Sequence, residues 1–92
     1  MSQRVVVYVT DYCPYCTRAK SLLERRGIAY DEVDVSNDAD KRAWLVSTTK
    51  RRTVPQIFIG DTHVGGYDDL AALDRAGRLD ALLQQSTGAD RP

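Results

Sequence analysis

Net charge, long apolar runs and a supply of cysteine are all missing from these 92 residues. Thirteen Lys and Arg balance thirteen Asp and Glu, so no overall field draws the chain to nucleic acid or to an acidic membrane surface. No apolar stretch approaches the length of a bilayer span, so no membrane partner is expected. Met1-Ser2-Gln3-Arg4 leads directly into a strand-like segment without an apolar leader or a small-residue cleavage site, and a cytoplasmic location is expected. Repeats and low-complexity tracts are lacking too. Two cysteines cannot build the disulfide framework of a small secreted domain. Even with the single histidine, His63, they fall short of the roughly four ligands a structural zinc takes, so no metal site is expected.

What is present suits one small domain. The hydrophobic share of 42% is enough for a single core at a length near the lower limit for folding without staples. The domain is expected to span residues 1–86, with a polar tail at 87–92.

Both cysteines stand in Cys13-Pro14-Tyr15-Cys16, after an apolar run and at the start of a helical pattern. A thiolate at a helix N-terminus is stabilised by unpaired backbone N–H groups and by the positive end of the helix dipole. That lowers its pKa from about 8.5 into the range of roughly 3.5–7.5 and makes it a nucleophile at neutral pH. The second thiol lies one helical turn on and can close a disulfide with the first. In a reducing compartment such a pair is catalytic or metal-binding rather than structural.

The elements can be placed by pattern. Val5-Val6-Val7-Tyr8-Val9 is a β-branched run, expected of a strand covered on both faces. Pro14 suits a first helical turn, Ala19, Leu22 and Leu23 form an apolar stripe, and Gly27 is a C-terminal stop. A strand is expected over 28–35, and a helix from a cap at Ser36-Asn37-Asp38 to about Thr49. Gln56-Ile57-Phe58-Ile59 and His63-Val64 read as a hairpin about Gly60-Asp61-Thr62, ended by Gly65-Gly66. Leu70, Ala71, Leu73 and Ala76 then make one helix, and Leu79, Leu82 and Leu83 start another. The result is an α/β fold whose four-stranded mixed sheet has the order 2-1-3-4 and helices on both faces. The cysteine loop follows the C-terminal end of the first strand, where open α/β sheets bind ligands. His63 is expected at the surface or on the edge strand as a spacer. Trp44 is expected in the core, with a partner contact as the other reading.

Cys13-Pro14-Tyr15-Cys16, Thr53-Val54-Pro55 and Gly65-Gly66-Tyr67-Asp68-Asp69, on this order of elements, resemble the glutaredoxins, above all the small bacterial dithiol members. The likeness covers nearly the whole chain. It implies a thioredoxin-like fold with a cis proline at Pro55 facing the cysteines, and glutathione as co-substrate with no bound cofactor. Val54 would then pair with the extended tripeptide as with an added strand, with Thr53 and Pro55 beside it. The N–H groups after Gly66, around Tyr67 and Asp68, would take the γ-glutamyl carboxylate. Asp68 or Asp69 would take the ammonium group, although both also suit ordinary helix capping. Arg52 would meet the glycyl carboxylate, and Tyr15 would flank the tripeptide or act as a spacer.

The same resemblance makes Cys13 the nucleophile and Cys16 the resolving thiol. It implies reduction of protein–glutathione mixed disulfides and of protein disulfides, and the balanced charge and small fold lead to the expectation of a monomer. The partners would be oxidised or glutathionylated proteins, with ribonucleotide reductase a candidate. Many relatives carry lysine, threonine and glycine where this chain has Thr10, Tyr12 and Lys50, so the carboxylate would fall to Arg52, alone or aided by Lys50. Two rival readings are an electron donor served by thioredoxin reductase, whose members generally lack the Gly-Gly-x-Asp-Asp segment, and a dimeric iron–sulfur cluster module, against which Pro14 argues.

Overall fold

The computed structural model describes residues 3–84. The expected domain end at 86 and the tail at 87–92 lie outside the described residues. In chain order the elements are β1 (Val5–Val9), α1 (Pro14–Arg25), β2 (Asp31–Asp34), α2 (Ala39–Thr49), β3 (Gln56–Ile59), β4 (Thr62–Gly65), α3 (Tyr67–Arg75) and α4 (Leu79–Gln84). The sheet order is β2-β1-β3-β4, as expected. β1 runs parallel to β2 and antiparallel to β3, and β3 is antiparallel to β4. Among the described residues no helix is long and apolar enough to cross a membrane.

The core lies on one face of the sheet. Val5, Val7 and Val9 alternate into it and meet Ala19, Leu22 and Leu23 of α1, Ile57 and Ile59 of β3, Leu70 of α3 and Leu79 of α4. Burying each large aliphatic side chain contributes about 1.5–3 kcal/mol. The other face is thinner than a strand covered on both sides would be. Val6 and Tyr8 are only half-buried, because α2 meets this face through few large side chains. Trp44 lies there over Tyr8 and Phe58, with ring centroids 5.6 and 6.2 Å apart. It remains 47% exposed, a lid on the sheet rather than a core residue.

β2 begins three residues later than its sequence pattern suggests. Gly27, at φ +69°, closes α1 with its N–H on the Glu24 carbonyl (3.0 Å), while the Ile28 N–H reaches the Leu23 carbonyl (2.9 Å). This paired closure of a helix end occupies Ile28 and leaves residues 28–30 as the connector. The strand that follows is an edge carrying Asp31, Glu32 and Asp34, charges that discourage pairing with another chain. β4 is longer than expected and includes Gly65.

α2 starts on Asp38, whose carboxylate accepts from the Lys41 N–H at 2.9 Å. It ends on Lys50, in the left-handed conformation at φ 63° with its N–H on the Val46 carbonyl. A side chain in that conformation costs about 1 kcal/mol that glycine does not. Lys50→Gly is therefore expected to raise stability by about 0.5–1 kcal/mol, read as a higher urea midpoint at unchanged slope.

Candidate active site

The site lies where β1 ends. Tyr12 takes a left-handed backbone at φ 54°, turning the chain so that Cys13 becomes the N-cap of α1 and Pro14 its first residue. The Cys16 N–H, one of the orphan donors of the first turn, points at the Cys13 sulfur at 3.0 Å. Negative charge on that sulfur would be met by a fixed donor and by the helix dipole. Cys13 and Cys16 are joined as a disulfide. Cys13 is partly open to solvent while Cys16 is 2% exposed, so an external thiol or disulfide reaches Cys13 first.

Two distant segments close on this pair. The Val54–Pro55 peptide is cis, and the Val54 carbonyl oxygen lies 3.7 Å from the Cys13 sulfur. Gly66 packs behind it, where an added Cβ would sit 3.5 Å from the Pro55 carbonyl oxygen. Gly66 is also the N-cap of α3, so Tyr67 and Asp68 start that helix. The Tyr67 ring approaches Tyr15 at 6.3 Å, and Arg18 covers the Tyr15 ring at 5.2 Å. Cys13, Tyr15, Val54, Pro55, Gly66 and Tyr67 therefore meet at one end of the sheet, although up to 54 positions separate them in the sequence.

The charged groups divide into committed and open ones. Asp69 accepts from the Gly66 N–H and from Arg51 Nη1, both at 2.9 Å. The Arg51 guanidinium first, then the Gly66 N–H, hold its carboxyl below the usual carboxylate range. Asp69 thus caps α3 and ties it to the loop before Thr53. Asp68 is exposed, and among the described residues it makes no hydrogen bond or ion pair. The same holds for the Arg52 side chain, which lines an open cleft of about 470 Å³ with Arg42, Val46, Arg51, Thr53 and Val54. No cluster of three or more His, Cys, Asp or Glu side chains is placed to hold a metal ion among the described residues.

This architecture has known counterparts. The glutaredoxin family model matches residues 5–64, well over half of the chain. The chain is 56% identical to a glutaredoxin of Pseudomonas aeruginosa, an alignment that covers 86% of this chain and 94% of that one. The chain belongs to the glutaredoxin family. The solution structure of glutaredoxin from Brucella melitensis superposes with a TM-score of 0.82 at 48% identity, covering 90% of both chains. A buckwheat glutaredoxin–glutathione complex superposes with a TM-score of 0.81 at 36% identity, covering 88% of this chain and 76% of that one. The fold is thioredoxin-like, and as a glutaredoxin the protein is a thiol–disulfide oxidoreductase.

Two neighbours of the site are not legible as such in the sequence. His63 lies on the edge strand β4, as expected, but it is not a mere spacer: it is half-buried, with Nε2 2.6 Å from Gln56 Oε1. Burial, helped by the nearby Arg51 charge, lowers its pKa below the ordinary histidine value. Gln56 is completely buried. A glutamine heading the apolar run Ile57-Phe58-Ile59 is the one available signal, since a buried amide must find partners. The Arg51–Asp69 pair carries no signal, because nothing in a basic triplet says which member faces inward.

Proposed function

We propose that this protein reduces glutathione mixed disulfides and protein disulfides at the expense of glutathione. The observation that carries the reading is the meeting, beside Cys13, of an extended segment at Val54 and a helix start at Gly66 with an open carboxylate, Asp68. A γ-glutamyl tripeptide presents an ammonium and a carboxylate on one carbon, a peptide middle and a second carboxylate. Val54 supplies a strand edge for the middle, and the N–H groups at Tyr67 and Asp68 suit the first carboxylate. Asp68 takes the ammonium, Asp69 being engaged with Gly66 and Arg51. Arg52 takes the glycyl carboxylate, and Tyr15 and Tyr67 wall the cradle beside Thr53 and Pro55. The solved glutathione complex of the buckwheat relative supports the choice of ligand.

In the mixed-disulfide reaction the Cys13 thiolate attacks the glutathione sulfur. The protein–glutathione S–S bond breaks, the protein thiolate leaves and takes a proton, and Cys13 carries glutathione. A second glutathione thiolate attacks that glutathione sulfur, releasing oxidised glutathione and the Cys13 thiolate. With a protein disulfide, Cys13 forms a mixed disulfide with the substrate. Cys16 then displaces the substrate thiol by attacking the Cys13 sulfur, and two glutathiones reduce the resulting Cys13–Cys16 bond. This cycle suits a cytoplasmic monomer working against the glutathione pool.

Parallel coupled assays test the reading. NADPH consumption through glutathione and glutathione reductase is expected with a glutathionylated peptide, and none through thioredoxin reductase; the reverse pattern would make the protein an electron donor of the other class. Arg52→Ala is expected to raise the KM for the glutathionylated peptide about three- to fivefold, the range of an exposed charge contact. An unchanged KM would remove Arg52 from the cradle.

A further inference from the structure

The thiol chemistry leaves one polar pair unused, a buried glutamine and a half-buried histidine. Gln56 faces the α2 side of the sheet, opposite Tyr8 in the β1–β3 register, with none of its surface exposed. Both ends of its amide are engaged. Its Nε2 donates to the Thr53 carbonyl at 2.9 Å and lies 3.3 Å from the Thr53 hydroxyl oxygen. Its Oε1 therefore faces His63, whose Nε2 lies 2.6 Å away. Since Nε2 of the glutamine is spent on Thr53, the histidine must be the donor, with hydrogen on Nε2. The His63 ring is fixed in turn against Phe58, at a centroid distance of 5.0 Å. Burial of an amide costs free energy unless each end is paired, and a hydrophobic residue would satisfy the sheet face without such demands.

We infer that Gln56 and His63 are positioning residues that fix the register in which a peptide pairs at Val54. The amide holds the chain one residue before Val54. In an extended segment successive carbonyls point to opposite edges, so tying the Thr53 carbonyl to Gln56 keeps the Val54 N–H and carbonyl turned to the other edge, where a peptide would pair. A slip of one residue in strand pairing turns every side chain to the opposite face. For a bound tripeptide that slip would carry its sulfur away from Cys13. The relay runs from β4 through β3 to the loop, and it touches neither cysteine.

The inference rests on the proposed glutathione cradle and is tested apart from it. Wild type, Gln56→Met, His63→Leu and His63→Gln are compared in reduction of a glutathionylated peptide at saturating glutathione. The rate of Cys13 alkylation is measured against pH in each reduced protein. Gln56→Met and His63→Leu are expected to raise the peptide KM about tenfold with kcat within about twofold, as loss of binding common to ground and transition states requires. The alkylation profile should not move, because the thiolate's own partners are untouched. His63→Gln retains an N–H donor at similar reach, and its KM should stay within about twofold of wild type. If Gln56→Met does not fold, His63→Leu and His63→Gln decide between them. An unchanged KM in His63→Leu, a shifted alkylation profile, or equal damage from His63→Leu and His63→Gln would overturn the inference. A wild type that does not turn over the glutathionylated peptide would instead defeat the cradle, and the inference with it.

Discussion

Cys13→Ser is expected to lower every reductase activity by about a thousandfold or more, because a serine hydroxyl is not ionised near neutral pH and cannot replace the thiolate nucleophile. Cys16→Ser is expected to separate the two reactions. The group that supports the Cys13 sulfur is the backbone N–H of residue 16, at 3.0 Å, and serine keeps it. Reduction of glutathionylated peptide should therefore remain within a fewfold of wild type. Reduction of a protein disulfide should be lost, since no thiol remains to displace the substrate from Cys13. Both activities can be followed in one glutathione-coupled assay with the two substrates. Turnover within about tenfold of wild type in Cys13→Ser, or loss of both activities in Cys16→Ser, would reassign the nucleophile. The burial difference between the two sulfurs argues that Cys13 attacks first and Cys16 second: Cys16 is 2% exposed, out of reach of a folded substrate.

Gly65→Ala is expected to cost about 3 kcal/mol of stability and to weaken glutathione binding with it. Gly65 has φ +119°, a conformation that side chains rarely adopt and that costs about 1–3 kcal/mol when they do. The new Cβ would also run into Asp69 Oδ2, with Asp69 Cγ at 2.8 Å and Arg51 Nη1 at 3.1 Å. Asp69 would have to withdraw from the Gly66 N–H, and loss of such a cap costs about 0.5–2 kcal/mol. The Arg51–Asp69 pair would open at the same time; being exposed, it adds little. Urea unfolding gives the stability loss, and the KM for glutathionylated peptide gives the effect on the cradle. A destabilisation below about 1 kcal/mol would mean that the segment yields without strain.

Particular residues show what sequence can and cannot disclose. The continuous run Val5 to Val9, the stripe at Ala19, Leu22 and Leu23, and the stop at Gly27 are local patterns, and they lead to the observed elements and strand order; that only Val5, Val7 and Val9 of the run enter the core is not legible in it. The start of β2 is not legible, because Ile28 looks like a strand residue but is taken up by the closure of α1, a hydrogen-bonding choice that hydrophobicity does not encode. Cys13 and Cys16 stand out by spacing alone. The roles of Asp68 and Asp69 separate only once Arg51 is seen to occupy one of them. His63 looks like a spacer in the sequence because its partner, Gln56, lies seven residues away across a hairpin with an irregular register.

Val54 and the start of α3 are proposed to form one cradle for glutathione on Cys13. Amide chemical shifts of isotopically labelled Cys16→Ser protein test this proposal most directly, comparing Cys13 bonded to glutathione with Cys13 bonded to mercaptoethanol. The expected result is a set of additional shifts in the glutathione adduct at Val54, Gly66, Tyr67 and Asp68. Identical spectra for the two adducts, with changes confined to the neighbourhood of Cys13, would contradict it.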